Sequence, residues 1–169
     1  PVEERGPRAA SRLLAPGPQP RRRPRKEAPA STLQDVVPGD AALQPTLLMS
    51  NGRYSVSVRP NGAGSSRFGG ADVSRWRDDA LRDAYGTFFY LRRHTAQGAT
   101  APVSLTQHPA PDSNANYESA LHSDHICRHA HWPDLHSCGT VWVSPEDDIE
   151  LRRVELWNTS NEDTALDLM

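Results

Sequence analysis

The chain has 169 residues, a formal net charge of −2 and a hydrophobic fraction of 36%. This length accommodates one domain of ordinary size together with a tail. The nearly balanced charge argues against extensive binding of nucleic acid, and no run approaches the roughly 18 apolar residues that a membrane helix needs. The two cysteines are too few for a disulfide framework and fit a reduced cytosolic protein as well as any other.

Residues 1–46 are predicted to form a disordered linker. They hold nine of the fifteen prolines and only scattered apolar residues. A basic run within them, "RRRPRK", is typical of a localisation signal or of a patch for nucleic acid or anionic lipid. The composition favours a solvated, self-repelling tether, because so little apolar surface is available to form a core. We therefore predict no nucleic-acid partner.

From residue 47 the sequence predicts short β-strands. A turn signal at Asn51 and Gly52 precedes Tyr54, Val56 and Val58, which alternate with serines as in a half-buried strand. A glycine-rich loop is predicted next, in "PNGAGSSRFGGADVSR". Glycine-rich backbone beside a cation and an aromatic residue often marks the close approach of a ligand. The lack of a Lys-Ser/Thr ending excludes a phosphate-binding P-loop.

The second half of the chain predicts further strands. Two are expected in "YGTFFYLRR" and "VSLTQHPAP", and a hairpin is expected where "NYESALHSDHICRHAH" and "LHSCGTVWVS" flank the turn "WPD". Another strand, with a bulge at its two arginines, is expected in "DIELRRVELWNTS", and one more begins in "TALDLM". Six or seven strands at a spacing of roughly 10–15 residues predict an all-β fold, an antiparallel β-sandwich, over residues 47–169.

The densest group of metal-ligand residues lies in "HSDHICRHAHWPDLHSC", residues 122–138, with five of the seven histidines and both cysteines. On a strand, His125, Cys127, His129 and His131 would share one face, and the hairpin would bring further ligands alongside. Zinc could in principle bind there. However, same-face neighbours on a strand lie roughly 6.5–7 Å apart, and the spacing lacks the pattern of structural zinc sites. We therefore predict a solvent-facing polar strand and no metal site.

Several blocks in order resemble a known family. They are "LLMSNGRYSVSV", the glycine-rich segment, "VSRWRDDALRDAYGTFFYLR" and "VSPEDDIELRRVELWNTS". Together, over about residues 46–169, they resemble the N-terminal β-sandwich (supersandwich) domain of glycoside hydrolase family 94, formerly glycosyltransferase family 36, as it occurs in cyclic β-1,2-glucan synthases. Because the chain does not begin with Met and "TALDLM" shows no stop signal, we expect a piece of a longer protein with an incomplete supersandwich.

The resemblance implies that the sandwich precedes an (α/α)6 barrel, whose Asp is the general acid of glucosyl transfer or phosphorolysis. The chain contains none of that barrel, so we expect an accessory domain with no catalytic residue and no cofactor of its own. The longer enzyme of which this chain would be a piece is called the parent enzyme below. The implied partners are a β-glucan or oligosaccharide, phosphate bound by the parent enzyme, the downstream barrel and a second copy in a homodimer. The implied location is the cytoplasm, as a soluble part of an inner-membrane protein.

The resemblance also implies a set of substrate-binding residues, because the family's glycine loop reaches towards the active site. These residues are Ser66, Arg67, Arg75, Trp76 and Arg77. Arginine suits phosphate and sugar hydroxyl groups, and an exposed Trp can stack on a pyranose ring. The opposing interpretation is that the charged residues at 75–83 form salt bridges that hold the loop against the sandwich.

Two other functions stay open on the sequence alone. One is a stand-alone, non-catalytic carbohydrate-binding module, which would require the chain to be complete. The other is a small zinc-binding β protein, which metal analysis of the purified protein would test.

Overall fold

The structure, a computed structural model, describes residues 32–37, 45–74 and 85–169. Within these ranges the chain forms strands and no helix, which confirms the predicted all-β fold, and so no helix there could cross a membrane. The strands are β1 (Thr32–Val36), β2 (Leu47–Ser50), β3 (Tyr54–Val58), β4 (Gly64–Phe68), β5 (Ala71–Asp72), β6 (Tyr90–Thr95), β7 (Gly98–Ala99), β8 (Val103–Ser104), β9 (Asn116–His122), β10 (His125–His131), β11 (Leu135–Val143), β12 (Glu150–Asn158) and β13 (Ala165–Leu168).

Three antiparallel sheets make up the described part of the chain. Sheet A has the strand order β1-β9-β10-β11-β12, and sheet B has the order β2-β3-β4-β5. Sheet C has the order β13-β6-β7, and β8 also pairs with β6. The central strand of sheet A, β10, is paired along its length on both sides, which makes it a rigid platform for side chains.

Both hydrophobic cores lie on the same face of sheet A. The first, against sheet B, consists of Met49, Tyr54, Val56, Val58, Leu121, Ile126 and Val141. The second, against sheet C, consists of Leu91, Leu105, Ala130, Trp132 and Leu135. Ile126 and Ala130 are four residues apart on β10 and therefore point to the same side. The molecule is thus a sandwich of one long sheet against two small ones, and the other face of sheet A stays outside the core.

A buried arginine joins the two cores. Arg128 lies between them on β10, and its Nε and one terminal nitrogen donate to the carbonyl oxygen of Arg59 at 3.2 and 2.9 Å. Its neighbour on β9, Ser119, donates to the carbonyl oxygen of Pro60 at 3.2 Å. Burial lowers the pKa of Arg128 to about 9, and the nearby Arg152 acts in the same direction. These bonds fix the connection between β3 and β4 to sheet A.

Strand β1 lies inside the stretch that the sequence predicts to be a disordered linker, so that prediction is wrong for residues 32–36. The strand pairs with β9, for example Val36 with Ser119. The physical reason is that pairing with β9 and the packing of Val36 against the first core hold this short edge strand, and a count of prolines and charges over 46 residues registers neither.

Two local predictions are also wrong. The glycine-rich loop is in large part a hairpin, since Gly64–Phe68 forms β4 and pairs with β3. The bulge expected at Arg152 and Arg153 is absent, because the pairing of β11 with β12 runs without interruption from Leu135 with Asn158 to Val143 with Glu150. By contrast, the alternating β3, the hairpin of β10 and β11, and the strand in "TALDLM" are confirmed.

Candidate functional site

The first glycines of the glycine-rich segment, residues 62–72, are required by close packing of the backbone. Gly62 has a φ of +105°, and a Cβ there would lie 2.3 Å from Oγ1 of Thr106. A Cβ at Gly64 would lie 2.6 Å from a backbone carbonyl oxygen of β3, and one at Gly86 would lie 2.9 Å from the carbonyl oxygen of Gly62. Three backbone segments therefore meet where there is no room for side chains, and no ligand is needed to explain these glycines.

The last two glycines, Gly69 and Gly70, form the turn between β4 and β5. Gly69 has a φ of +55°, and its amide donates to the carbonyl oxygen of Arg53 at 2.8 Å. Across this hairpin Arg67 pairs with Asp72, with Nε 2.8 Å from Oδ1. The two side chains are 57% and 64% exposed, so solvent screens this ion pair and it contributes little to stability.

The predicted contacts Ser66 and Arg67 do not belong to one site. They are adjacent on β4 and therefore point to opposite faces of sheet B. Ser66 is buried, and its hydroxyl donates to Oε2 of Glu150 at 2.6 Å. Its role is to position that carboxylate. The other three predicted contacts, Arg75, Trp76 and Arg77, lie outside the described residues, as do the charged residues expected to hold the loop.

An open groove of about 700 Å³ runs beside Ser66, between the edges of sheets A and B. We call it the Phe68 groove. Its lining consists of Tyr54, Phe68, Val73, Asp148, Ile149, Glu150 and Arg152. Phe68, Val73 and Ile149 are 48%, 60% and 46% exposed, so they form an apolar rim. A groove of this size lies within the roughly 300–1,000 Å³ of small-ligand sites.

A fixed ion pair forms the polar floor of the Phe68 groove. Nε of Arg152 donates to Oε1 of Glu150 at 2.5 Å, and a terminal nitrogen of Arg152 donates to the carbonyl oxygen of Thr87 at 2.6 Å. The other carboxylate oxygen of Glu150 accepts the bond from Ser66. The side chains of Arg152 and Glu150 are 15% and 11% exposed, so their geometry is held by the protein rather than by solvent.

The turn between β11 and β12 is tied to the turn between β2 and β3. Nδ2 of Asn51 donates to Oδ1 of Asp148 at 3.0 Å and to the carbonyl oxygen of Asp147 at 2.9 Å. The guanidinium of Arg53 lies 3.1 Å from Oδ2 of Asp148. Asp148, which lines the Phe68 groove, is therefore held in place, and its charge is partly compensated by Arg53.

Comparison with known proteins identifies the family. Residues 38–169 match the family model described as the glycosyl hydrolase 94 supersandwich domain. The chain belongs to this family. It is also 34% identical, over 131 residues, to the cyclic beta-(1,2)-glucan synthase NdvB of Rhizobium meliloti (strain 1021). That similarity covers 73% of this chain and 4% of the relative, so this supersandwich chain spans a small part of the length of the protein that it matches.

Sequence reasoning missed most of the Phe68 groove of this supersandwich domain. It singled out the glycines and Ser66, but not Glu150, Arg152 or Ile149, which come from the strand after the acidic turn. The hydroxyl of Ser66 and the carboxylate of Glu150 are separated by 84 positions in the sequence. The one available signal was the order of residues where β12 begins: the apolar Ile149 directly precedes Glu150 and Arg152, which are two positions apart.

The five histidines of β9, β10 and β11 lie on the outer face of sheet A, which confirms the shared face predicted for those of β10. Opposite each other are His129 and Cys138, and likewise His131 and His136. Burial, followed by the neighbouring His131 and His129, lowers the pKa of His136. However, one ligand atom from each of His129, His131 and His136 lies within 4.8 Å of the others. The prediction that these ligands are too far apart, which is based on the spacing of same-face backbone positions, is therefore wrong for the side chains.

The two cysteines also lie on this face. Both are free, and the Sγ atom of each lies 3.9 Å from Oγ1 of Thr140. A hydrogen bond between the two sulfur groups lowers the pKa of Cys127 to about 6 and raises the pKa of Cys138 to about 12.

Proposed function

We propose that this supersandwich chain is the accessory domain of a longer enzyme of glucosyl transfer or phosphorolysis, and that the Phe68 groove binds part of a β-glucan chain. The family match supports the accessory role, and the relative's name supports a β-1,2-glucan as the sugar. The observation that carries the binding proposal is the pairing of the exposed ring of Phe68 with a fixed polar floor. A pyranose has the same combination of an apolar face and polar edges.

The charges of the groove favour a neutral sugar over phosphate. The guanidinium of Arg152 is neutralised by Glu150, and that of Arg53 is neutralised by Asp148. Among the described residues of the groove, no arginine therefore offers the uncompensated positive charge that a phosphate site requires. Phosphate, on this proposal, binds elsewhere in the parent enzyme.

The test is a titration of the purified chain with β-1,2-linked glucooligosaccharides, followed by calorimetry or by NMR. We expect weak saturable binding that Phe68→Ala weakens by about tenfold, because a bound sugar would cover the exposed 48% of a side chain whose complete burial contributes about 1.5–3 kcal/mol. Leu48→Ala is the matched control, because Leu48 is equally apolar and 66% exposed on sheet B but lies outside the groove.

The rival occupant of the groove is the expected downstream barrel, whose surface would cover the same apolar rim. In that case the chain would bind no glucan at millimolar concentrations, or Phe68→Ala would bind as well as the unchanged chain. Either result would overturn the sugar site and leave the accessory role to packing alone.

The remaining parts of the proposal concern assembly and location. We place the parent enzyme in the cytoplasm, as a soluble part of an inner-membrane protein, and we expect it to form a homodimer. Light scattering on the purified parent protein tests the dimer, and fractionation of cells that express it tests the location.

A further inference from the structure

The proposed sugar site leaves the histidines on the outer face of sheet A without a role. We call His129, His131 and His136 the His129 cluster. His129 and His131 are two residues apart on β10 and share a face, and His136 is the direct partner of His131 on β11. The ring centroids of the three pairs are 4.2, 5.4 and 5.9 Å apart, so the rings form a compact triangle.

Two nitrogens of the cluster already have the spacing of ligands to one metal ion. Nδ1 of His129 and Nε2 of His136 are 3.2 Å apart. Two nitrogens bonded to a tetrahedral zinc at about 2.0–2.1 Å lie about 3.3–3.4 Å from each other. The separation of these two nitrogens is therefore close to the one that a single ion requires, but each ring must turn so that its lone pair points at the ion rather than at the other nitrogen.

The third histidine can join them by a side-chain rotation. One ligand atom of His131 lies within 4.8 Å of those of His129 and His136. Its ring stacks on that of His136 with an interplanar angle of 13°, so it must turn to direct a lone pair at the same point. His131 is half-exposed at the end of β10, where such a rotation displaces no core residue.

The surroundings of the cluster suit a cation. Glu118 on β9 is the direct partner of His129, so a carboxylate borders the triangle of histidines. The backbone that carries His129 is paired on both sides, which holds two of the ligands on a rigid support. Three histidines with one position left for water or a carboxylate are a known zinc ligand set.

A second group on the same face is less suitable. In the His122 cluster, which consists of His122, His125 and Cys127, the ligand atoms also lie within 4.8 Å of one another. Here the two rings stack face to face, 4.1 Å apart with an interplanar angle of 8°. The lone pairs of an imidazole lie in the ring plane, so these two rings, like those of His131 and His136, must turn before both can bind one ion. Unlike the His129 cluster, this group has no third histidine. Nδ1 of His125 is also engaged by Asp124 at 2.6 Å.

We propose that His129, His131 and His136 bind one divalent transition-metal ion of the zinc class on the outer face of sheet A. The ion joins β10 to β11 at the end next to the turn between them. Glu118 or water completes its coordination. This site lies on the face opposite to the Phe68 groove, and it stands or falls independently of the sugar proposal.

The test uses Co²⁺ as a spectroscopic probe, added to the purified chain in a phosphine reductant. We expect one equivalent to bind, with visible d–d bands, no thiolate-to-cobalt charge-transfer band in the near ultraviolet, and displacement by Zn²⁺. We expect His136→Ala and His131→Ala each to weaken binding by at least about 100-fold, the upper end of what even an outer-shell partner costs. His122→Ala, the matched control in the other cluster, should bind as the unchanged chain does.

Circular dichroism and thermal unfolding show whether each variant is folded. If His136→Ala does not fold, His131→Ala alone tests whether the cluster binds the ion, because His131 is the more peripheral ligand. Zn²⁺ should raise the unfolding temperature of the unchanged chain but not that of a folded variant of the cluster. The proposal is overturned if the unchanged chain binds no Co²⁺ below millimolar concentrations. It is also overturned if a thiolate band appears that His122→Ala or Cys127→Ser removes, since the ion would then lie in the other cluster.

Discussion

Replacing Gly62 by alanine distinguishes a packing role for the glycine-rich segment from a ligand-binding role. Gly62 and Gly52 both have a positive φ, +105° and +96°, which costs an L-residue roughly 1–2 kcal/mol at either position. Replacing glycine by alanine also lowers the conformational entropy of the unfolded chain, which offsets about 0.4–1 kcal/mol of this cost. Gly52→Ala, where nothing lies within 4 Å of the new Cβ, should therefore destabilise the domain by about 1 kcal/mol.

At Gly62 a steric term is added. The new Cβ would meet Oγ1 and Cβ of Thr106 at 2.3 and 2.8 Å and a ring carbon of Phe88 at 3.0 Å. Thr106 cannot move away without cost, because its hydroxyl donates to the carbonyl oxygen of His108 at 2.8 Å. Overpacking of this kind costs about 1–3 kcal/mol, so we expect about 3 kcal/mol in total for Gly62→Ala.

Urea unfolding followed by tryptophan fluorescence measures both variants, and equal m-values would show that the comparison is sound. Gly70→Ala is the neutral control, because Gly70 has no positive φ and open space around its Cα. Equal losses for Gly62→Ala and Gly52→Ala would refute the packing argument. A fully stable Gly62→Ala with weakened glucan binding would restore the ligand-loop interpretation.

Two further substitutions test the polar contacts. Ser66→Ala should lower the free energy of unfolding in urea by about 1.5 kcal/mol, the low end for a hydrogen bond to a charged group, because Glu150 keeps its bond to Arg152. Ser65→Ala, on the opposite face of β4, should change it by nearly nothing. Equal losses for the two variants would contradict the role given to Ser66. Hydrogen bonds from Arg93 lower the pKa of Asp134 below 3.8, so this contact stabilises the fold above that pH and is lost as the pH falls through the lowered value. Asp134→Asn should therefore lower the free energy of unfolding by about 1 kcal/mol at pH 7 and by much less at pH 3. The value is modest because the side chain is 41% exposed. Thermal unfolding measures the loss, and an equal loss at both pH values would contradict this role of the Asp134 carboxylate.

The sequence predicts the regular part of the sandwich well, because burial of one face leaves a period of two in the residues. Tyr54, Val56 and Val58 are buried in alternation with half-buried serines, as the pattern indicates. The turn "WPD" closes the hairpin of β10 and β11, where the amide of Trp132 donates to the carbonyl oxygen of Leu135 at 2.8 Å. In both cases the information is local to a few residues, so it can be read without a structure.

Strand β4 escapes prediction because its own side chains do little to define it. In β4 the sequence "GSSRF" contains one large apolar residue, and that residue, Phe68, is about half exposed. The strand exists because β3 offers a paired backbone on one side, for example Val56 opposite Ser66. Such propensity depends on tertiary context, which a single sequence does not contain.

The metal-ligand residues illustrate a different limit. The sequence correctly assigns the shared face, but the inference that same-face positions are too far apart rests on backbone spacing of roughly 6.5–7 Å. An imidazole extends several bonds beyond its Cα, and the rings of His129 and His136 lean together until their nitrogens are 3.2 Å apart. Rotamers and cross-strand pairing set this distance, and neither is visible in the order of the residues.

The two candidate sites are separated by sheet A itself. Along β12, Glu150 and Arg152 point into the sandwich and form the floor of the Phe68 groove, whereas Trp157, of opposite parity, points outwards and stacks on His136 with ring centroids 4.9 Å apart. A metal ion on the outer face would tighten the pairing of β10 with β11, and β11 in turn carries β12. Because the two sites share no ligand residue, such an ion can affect sugar binding only by making β12 more rigid. The free energies of the two binding events should therefore add nearly independently.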